Sequence, residues 1–228
     1  MKVFPEIKNS FYDVLSIRPT AYTFIRYLEQ KSNLLLFGGC IREYYDNKFT
    51  IIPRDFDIVL SDLEHDLDFL FQKFNCIYKQ NKFGGYKVKL DDLQFDIWEI
   101  QNTWAFKEKK VHFQKLLDLN KTVFLNIDGV FYDLNRGLLF DDGFSNAIST
   151  REIDIVLTAN PYPELNLARA FRYKYKYNLQ FSHQLQYYFD KWLDNFENKI
   201  YGINYLKDIE MKRYKSSIID WNYEIDSI

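Results

Sequence analysis

The sequence predicts an α+β fold in which a mixed β-sheet is flanked by helices and followed by a small helical domain. Short apolar runs at residues 34–37 and 56–60 lie between turn-forming residues, which is typical of buried strands. Residues 20–31 instead carry their apolar side chains on one helical face. From Pro163 onward helical periodicity dominates, so we predict that strands give way to helices at that point.

The predicted elements follow one another closely along the chain. The helices are expected at residues 20–31, 40–46, 63–74, 163–177, 182–196 and 205–220. The strands are expected at residues 34–37, 56–60, 75–80, 86–90, 93–100, 122–127, 130–132 and 153–157. Ser182 is of the residue type that caps helix N-termini. Asp91 and Asp92 form the turn between two neighbouring strands, so the predicted sheet is mixed.

Composition excludes several classes of protein. Of the 228 residues, 47% are hydrophobic and 27% are charged, which is ordinary usage for a globular protein. Two cysteines and three histidines are too few for a disulfide scaffold or a zinc finger. The sequence has no run of about 18 apolar residues and no signal-peptide core at its start, so we expect a cytoplasmic protein without membrane contact. The net charge of −2 means that any nucleic-acid contact must come from a local patch.

Two glycines and two aspartates follow the first two predicted buried strands. Gly38 and Gly39 come directly after the first strand, and Asp55 and Asp57 flank the first residue of the second. Because strand side chains alternate, the two carboxylates are expected on one face, where they suit a divalent cation such as Mg²⁺ or Mn²⁺. The glycines let a phosphate approach the backbone, and the helix after them presents free N–H groups. This combination predicts a nucleoside triphosphate site.

A third carboxylate is needed if one metal ion is to activate an attacking hydroxyl group while another holds the triphosphate. Asp96 is the candidate, because it lies in a predicted strand that can run beside the Asp57 strand. Glu99 is its competitor, but alternation places Glu99 on the opposite face from Asp96. Only one of the two can therefore join the pair of aspartates.

The order of these residues resembles the head domain of the class II CCA-adding enzymes and bacterial poly(A) polymerases, a family of nucleotidyltransferases related to DNA polymerase β. The family's pattern is Gly-Gly-x-x-Arg-Asp, a loop, and Asp-x-Asp. The matching residues here are Gly38-Gly39-Cys40-Ile41-Arg42-Glu43, a somewhat longer loop, and Asp55-Phe56-Asp57.

The resemblance continues past the first motif and covers roughly residues 20–185. Thr-Val-Phe-Leu-Asn-Ile at residues 122–127 is similar to the family's Asp-Phe-Thr-Ile-Asn-Ala strand. Residues 138–143 and 151–153 are similar to the turn-and-loop segment that follows it. Residues 167–179 resemble the family's first neck helix.

The resemblance implies a nucleotidyltransferase head domain at residues 1–160, a helical neck domain at residues 161–228, and roles for the matching residues. Asp55, Asp57 and Asp96 would bind the metal ions and carry the catalysis. Contacts to the nucleotide would come from Gly38, Gly39, Arg42, Lys121, Asn126, Arg169 and Arg172. Guanidinium groups on a rigid helix are good partners for phosphate oxygens, which makes the arginine assignments physically reasonable.

The departures from the family pattern concern substrate choice. In CCA-adding enzymes a Glu-Asp-x-x-Arg segment reads the base of the incoming nucleotide, whereas residues 162–166 here are Tyr-Pro-Glu-Leu-Asn. The family's Arg-Arg-Asp is replaced by residues 120–122, Asn-Lys-Thr, with Lys121 as the remaining charge. The sequence ends shortly after the second neck helix, where full CCA enzymes continue into domains that hold tRNA. Housekeeping tRNA repair is therefore not the first expectation.

We expect metal-dependent transfer of a nucleoside monophosphate from ATP or CTP to an acceptor hydroxyl group. The first expectation for the acceptor is the 3′ end of an RNA, tRNA above all, with a toxin or phage-defence enzyme as one setting. Two alternatives stay open. The acceptor could be a small molecule or a protein, or the chain could be a nucleotide-binding module without turnover, as the missing base-reading residues would allow.

Overall fold

The computed structural model describes residues 2–63 and 66–226, and the chain packs into two compact units. The first unit contains residues 1–122 and 130–142, and the second contains residues 123–129 and 143–228. The second unit therefore includes residues that precede the predicted domain boundary at residue 160. The head and neck domains at residues 1–160 and 161–228 stay a prediction.

The first unit combines one large sheet with short helices. Its helices are α1 (Pro5–Ser16), α2 (Pro19–Glu29), α3 (Gly39–Asn47), α4 (Leu67–Lys73) and α5 (Trp104–Lys107). Its strands are β1 (Lys2–Val3), β2 (Asn33–Phe37), β3 (Phe56–Ser61), β4 (Ile77–Gln80), β5 (Tyr86–Leu90), β6 (Leu93–Glu99), β7 (Val130–Asp133) and β8 (Leu138–Asp141). Two 3₁₀ turns, Ile100–Asn102 and Leu116–Lys121, follow β6.

The sheet is mixed, as the sequence predicts. Within the described residues it has eight strands in the order β1-β8-β7-β2-β3-β6-β5-β4. The central β3–β6 pair is parallel, and the other neighbouring pairs are antiparallel. The β5–β6 hairpin turns at Asp91 and Asp92, where the sequence places a turn.

Helices cover one face of this sheet. Phe11 of α1 packs edge-on against Phe56 of β3, with ring centroids 5.2 Å apart. Phe24 of α2 and Phe71 of α4 are fully buried, and their ring centroids are 6.0 Å apart, so the two helices share one core. Burial of such large aromatic side chains supplies much of the free energy that holds helices to a sheet.

The opposite face of the sheet carries a second apolar cluster. Its buried members are Leu35, Val59, Ile100, Leu119, Phe131 and Phe140, and Phe37, Trp98 and Phe106 pack against them. Since side chains alternate along a strand, Asp57 lies on the same face as Val59, and Asp96 on the same face as Trp98. The polar residues of interest therefore lie on the face that α1, α2 and α4 leave uncovered.

The second unit is mostly helical. Its elements are a 3₁₀ turn at Asn126–Asp128, α6 (Phe144–Thr150), β9 (Glu152–Ile153), α7 (Pro163–Tyr177), β10 (Gln180–Phe181), α8 (His183–Leu193), α9 (Lys199–Tyr214) and α10 (Trp221–Asp226). Strands β9 and β10 pair in parallel. The hydroxyl oxygen of Ser182 accepts a hydrogen bond from the Leu185 amide at 3.0 Å, which confirms it as the N-cap of α8.

A glycine brings α6 and the Asn126–Asp128 turn into close contact. A Cβ atom at Gly143 would lie 2.0 Å from the carbonyl oxygen of Asn126 and 3.2 Å from that of Gly129. The obstacle is backbone, which cannot rotate away as a side chain can. Only glycine therefore permits α6 to begin at this position.

The predicted strand at residues 122–127 is wrong. This segment makes a single bridge, Leu125 to Ile155, and then turns into the 3₁₀ helix. Its apolar residues are buried, and Asn126 bonds backbone groups of residues 152 and 154 in place of a ladder partner. A short buried apolar run has the same sequence pattern whether or not it pairs as a strand.

Other differences concern element bounds. Helix α9 begins six residues before the predicted 205–220 helix, because the Asn198 side chain caps it by accepting from the Ile200 amide. It ends at Tyr214, since Lys215 adopts a left-handed conformation with φ 60°. The sequence analysis missed α1 and α6, and it made β9 too long. The predicted helix at 63–74 includes residues 64 and 65, which lie outside the described residues, and α4 occupies its later part.

No helix among the described residues is long and apolar enough to cross a lipid bilayer.

Candidate active site

Two carboxylates lie side by side at the centre of the sheet. Asp57 of β3 and Asp96 of β6 are direct partners in the parallel register of the two strands. Neighbouring strands are about 4.8 Å apart, so both side chains rise from the same face next to each other. The prediction that Asp96 lies on a strand beside Asp57 is confirmed. Glu99 pairs with Leu60 and falls on the other face, where Gln101 donates a hydrogen bond to it at 2.5 Å.

The Gly38-Gly39 turn meets this pair. Gly38 has φ 59° and ψ −109°, a conformation that side-chain-bearing residues rarely adopt, and its amide donates to the Val130 carbonyl at 2.8 Å. A Cβ atom at Gly39 would lie 3.7 Å from Nη2 of Arg42 and 3.8 Å from Oδ2 of Asp57. The structure thus brings Gly39, Arg42 and Asp57 together, as the sequence pattern predicts for a phosphate-binding turn.

Helix α3 begins at this turn and supplies the electrostatics of an anion site. Gly38 is its N-cap and has no side chain of its own to accept from the first N–H groups. A helix N-terminus carries roughly half a positive charge, which favours phosphate oxygens. Arg42, in the first turn, is 8% exposed, and its guanidinium group adds a full charge near Asp57. Positive groups therefore face the negative carboxylate pair at close range.

Asp55 and Asp96 each form an ion pair with a neighbouring basic side chain. The carboxylate of Asp55 accepts from Nε and Nη2 of Arg54 at 3.0 and 2.7 Å. Both oxygens of Asp96 accept from Nζ of Lys87 at 3.0 and 2.8 Å. Strand β3 begins at Phe56, so Asp55 lies just before the strand and alternation does not fix its direction. Across residues 2–63 and 66–226, no three acidic, histidine or cysteine side chains converge as a ready metal cage.

The donor set nevertheless suits Mg²⁺ or Mn²⁺. Magnesium sites in proteins commonly use one or two carboxylates, with water and substrate phosphates completing the shell. The adjacent carboxylates of Asp57 and Asp96 meet that requirement, and the half-buried Gly39 beside them has no side chain to exclude a phosphate. Asp55 would join them only after its carboxylate leaves Arg54.

Lys87 is a site residue that the sequence analysis missed. It is the register partner of Asp96 in the β5–β6 hairpin, and its side chain is 62% exposed. The Asp91-Asp92 turn of the sequence was enough to predict this pairing. Counting back from the Leu90–Leu93 pair on either side of Asp91 and Asp92 places Lys87 opposite Asp96.

Lys121 lies in the first unit and pairs with a buried aspartate. Its Nζ donates to Oδ1 of Asp118 at 2.7 Å, and the amides of Gln114 and Lys115 donate to Oδ2 at 2.9 Å. Together these donors hold the pKa of the Asp118 carboxyl well below its usual range, with the Lys121 contact as the largest cause. The Lys121 side chain is 62% exposed, so it can also face solvent anions.

Two predicted nucleotide-binding residues of the second unit contact its 3₁₀ turn and β9. The amide oxygen of Asn126 accepts from the backbone amides of Ile127 and Asp154, and its Nδ2 donates to the Glu152 carbonyl at 3.3 Å. Arg169 lies 3.5 Å from the carboxylate of Asp128, which also accepts from the Tyr173 hydroxyl. The Arg169 side chain is 31% exposed, and its phosphate contact stays a prediction.

Arg172 has a more complete set of protein partners. Its Nη1 donates to Oε1 of the fully buried Glu210 at 2.5 Å and to the Ser216 carbonyl at 3.1 Å. The guanidinium group also lies 4.1 Å from the Tyr214 ring centroid. These contacts give Arg172 a packing role in the second unit. Its phosphate contact stays a prediction.

Sequence comparisons find no relative for this chain. No protein-family model matches it, and no curated protein matches it.

Solved structures share its fold. A tRNA-processing enzyme with CTP superposes with a TM-score of 0.58 at 18% identity, over 87% of this chain and 52% of that one. A tRNA nucleotidyltransferase with a primer tRNA and an incoming ATP analogue has a TM-score of 0.56 at 14% identity, over 87% of this chain and 58% of that one. The Thermotoga maritima CCA-adding enzyme with tRNA has a TM-score of 0.56 at 17% identity, over 92% of this chain and 55% of that one. The present sequence therefore spans little more than half the length of these enzymes.

At these levels of identity the likeness is one of fold. The mixed sheet flanked by helices is the architecture that this chain shares with these solved structures. The chain has the fold of the tRNA nucleotidyltransferases.

Proposed function

We propose that this protein is a metal-dependent nucleotidyltransferase that transfers a nucleoside monophosphate from ATP or CTP to the 3′ hydroxyl group of an RNA, with tRNA as the first acceptor to test. One observation carries the proposal. Asp57 lies in register with Asp96, and a Cβ atom at Gly39 would lie within 4 Å of both the Asp57 carboxylate and the Arg42 guanidinium group. Shared fold with tRNA nucleotidyltransferases supports the same reaction class.

The reaction needs one bond to form and one to break. The acceptor oxygen attacks the α-phosphorus, the bond from that phosphorus to the bridging oxygen breaks, and pyrophosphate leaves. A Mg²⁺ or Mn²⁺ ion held by Asp57 and Asp96, with Asp55 turned toward it, would neutralise phosphate charge and make the acceptor hydroxyl more acidic. The carboxylate of Asp96, once Lys87 has left it, would help to take the proton that the hydroxyl group loses.

The remaining groups bind and orient the triphosphate. The N-terminus of α3 and the Arg42 guanidinium group would supply positive charge where the leaving pyrophosphate accumulates negative charge. Glycine at position 39 leaves the backbone open to phosphate oxygens. In the second unit, the phosphate contact of Arg169 stays a prediction from the sequence.

The choice of nucleotide is open in this proposal. Among the family's base-reading positions, Asn166 is a buried residue, and its Nδ2 donates to the Pro161 carbonyl at 3.0 Å. This hydrogen bond to a nearby backbone carbonyl occupies a donor of the Asn166 side-chain amide. Programmed addition of C, C and A is therefore not part of the proposed function.

The test is incubation of the protein with Mg²⁺, total cellular RNA and each α-labelled nucleoside triphosphate in turn, followed by a denaturing gel. The proposal predicts label in a discrete RNA band that is absent with the Asp55→Ala/Asp57→Ala variant. Label on a small molecule or protein instead would support another acceptor. Nucleotide binding without pyrophosphate release would indicate a binding module and contradict the proposal.

A toxin or phage-defence setting is part of the proposal and has its own test. Modification of essential tRNA would stop translation, so induced expression should arrest growth. Expression of the Asp57→Asn variant should not. Equal toxicity of both proteins would contradict a catalytic toxin.

A further inference from the structure

A basic, aromatic loop lies on the same face of the sheet as the aspartate pair. Residues 107–115, which we call the basic loop, contain four lysines and one glutamate in a chain whose net charge is −2. Phe106, directly before it, packs against the cluster that includes Val59, two residues along β3 from Asp57. The residue before the loop therefore packs against the apolar cluster on the same sheet face as Asp57.

The basic loop forms one wall of a cleft of about 430 Å³. The cleft is lined by Gln101, Phe106, Lys109, Val111, His112 and Phe113. The rings of Phe106 and Phe113 meet with centroids 5.1 Å apart at 52°, and Phe113 is 40% exposed. An aromatic ring left open beside a cleft of this size offers a stacking surface for one planar ring of a ligand.

Backbone hydrogen bonds fix the loop at both ends. The Ala105 carbonyl accepts from the amides of Lys110 and Val111 at 2.8 and 3.1 Å. At the other end, the buried carboxylate of Asp118 accepts from the amides of Gln114 and Lys115. The segment that carries Phe113 is therefore held in place before any ligand arrives, which reduces the entropy cost of binding.

The loop's charge is available to a ligand. Lys109 and Lys110 are exposed, and neither forms an ion pair with any residue that the structure describes. Lys107 contacts the Phe83 carbonyl at 3.5 Å, a weak neutral contact that leaves its charge in place. Unpaired cations beside an open aromatic ring are the combination that binds single-stranded nucleic acid, where phosphates meet lysines and bases stack.

We infer that the cleft between Phe106, Phe113 and Lys109 is a binding surface for single-stranded RNA, which positions the acceptor strand on the active face of the sheet. The inference rests on the proposed function for the identity of the acceptor. A base stacks on Phe113, and phosphates of the strand lie against Lys109 and Lys110. An acidic peptide would satisfy the lysines but not the exposed ring, so the geometry favours RNA.

The test is fluorescence anisotropy with a 5′-fluorescein-labelled single-stranded RNA of 12 nucleotides, without nucleoside triphosphate and with EDTA. Phe113→Ala should weaken binding about five-fold or more, the loss expected for one stacked base. Lys109→Ala/Lys110→Ala should weaken it roughly ten-fold and make the slope of log K against log salt shallower by about 1.4, for two lost phosphate contacts.

Matched controls lie on the helical face of the same unit. Phe69 is an exposed phenylalanine of α4, 60% accessible, and Lys31 and Lys73 provide the same loss of charge. Phe69→Ala and Lys31→Ala/Lys73→Ala should bind like the wild type. The inference is overturned if the loop variants match these controls. It is also overturned if polyglutamate of equal charge displaces the RNA as well as unlabelled RNA does.

The outcome separates this inference from the proposed function. Asp57→Asn should bind the RNA with wild-type affinity. If RNA binds through the loop but wild-type protein transfers no nucleotide, the proposed function fails and the surface stands. If transfer occurs and the loop variants bind and react like the controls, the surface fails and the proposed function stands.

Discussion

At the scale of single residues, the pairing of Lys87 with Asp96 sets the state of the candidate metal site. Both carboxylate oxygens contact one ammonium group, and the lysine is largely exposed. Exposed ion pairs contribute about 0 to 1 kcal/mol, so a divalent cation can displace the lysine at small cost. Lys87 is therefore a competitor for the position that the cation would take.

Replacement of this lysine should strengthen cation binding. In Lys87→Ala the Asp96 carboxylate loses its competitor, and we expect the Mn²⁺ dissociation constant to fall about two- to five-fold, the equivalent of about 0.4 to 1 kcal/mol. Isothermal titration with Mn²⁺ measures this directly. Lys89→Ala is the control, because Lys89 is an exposed lysine of the same strand that pairs with Gln94. An unchanged or weaker affinity in Lys87→Ala would contradict the account.

Gly39 offers a variant that separates folding from binding. A Cβ atom there meets only ordinary contacts of 3.7 and 3.8 Å, and alanine suits a helix better than glycine. Gly39→Ala should therefore fold with an equal or higher melting temperature. ATP binding should fall at least about ten-fold, because the added methyl group occupies the surface that phosphate oxygens need.

Gly38→Ala provides the contrast. Its φ of 59° with ψ of −109° is a conformation that alanine adopts only with strain, so this variant should lose stability by about 1–3 kcal/mol. Thermal unfolding and an ATP titration on both variants check the pair of expectations. Gly39→Ala with full ATP affinity would exclude the turn as the phosphate site.

At the scale of elements, one buried carboxylate joins three helices of the second unit. Glu210 of α9 is fully buried and accepts from Arg172 of α7, from the Trp221 indole of α10 at 2.9 Å, and from Ser217 and the Ile218 amide. Four donors around one carboxylate satisfy its charge without water. The packing of α7, α9 and α10 depends on this residue.

Removal of Glu210 should be costly. Glu210→Ala leaves the Arg172 guanidinium, 18% exposed, without its ion partner, and we expect the free energy of unfolding to fall by about 3–5 kcal/mol. The double variant Arg172→Met/Glu210→Leu removes both charges and should recover much of that loss. Urea denaturation of the single and double variants measures the coupling. Independent, additive effects would show that the pair does not stabilise the fold.

The sequence predicted some elements well and others poorly, for physical reasons. Helix α7 and strand β5 were predicted with their observed bounds, because Pro163, the Asp91-Asp92 turn and regular periodicity mark their ends. The strand at residues 122–127 was wrong, because its register depends on distant residues at 152–155 that the local pattern does not contain. Helix α1 has apolar residues at positions 7, 11 and 15, a helical spacing that was available but not used.

At the scale of the whole molecule, the candidate site was partly predictable because it depends on local order. A glycine turn after one strand and an aspartate at the start of the next were visible in the sequence, and strand pairing then placed Asp96 beside Asp57. The partners of the predicted arginines, Asp128 and Glu210, lie far away along the chain, and no local pattern indicates them. Fold comparison supplied the architecture, and the experiments proposed above test both the reaction and its acceptor.

The central claim is that Asp57 and Asp96 together carry nucleotidyl transfer. Single-turnover incorporation of α-labelled nucleotide into RNA, compared among wild type, Asp57→Asn, Asp96→Asn and the exposed-residue control Asp13→Asn, tests it most directly. Each site variant should keep the wild-type melting temperature within a few degrees and lose at least about 100-fold in rate, while the control keeps full activity. A folded Asp57→Asn protein that transfers nucleotide at the wild-type rate would contradict the account.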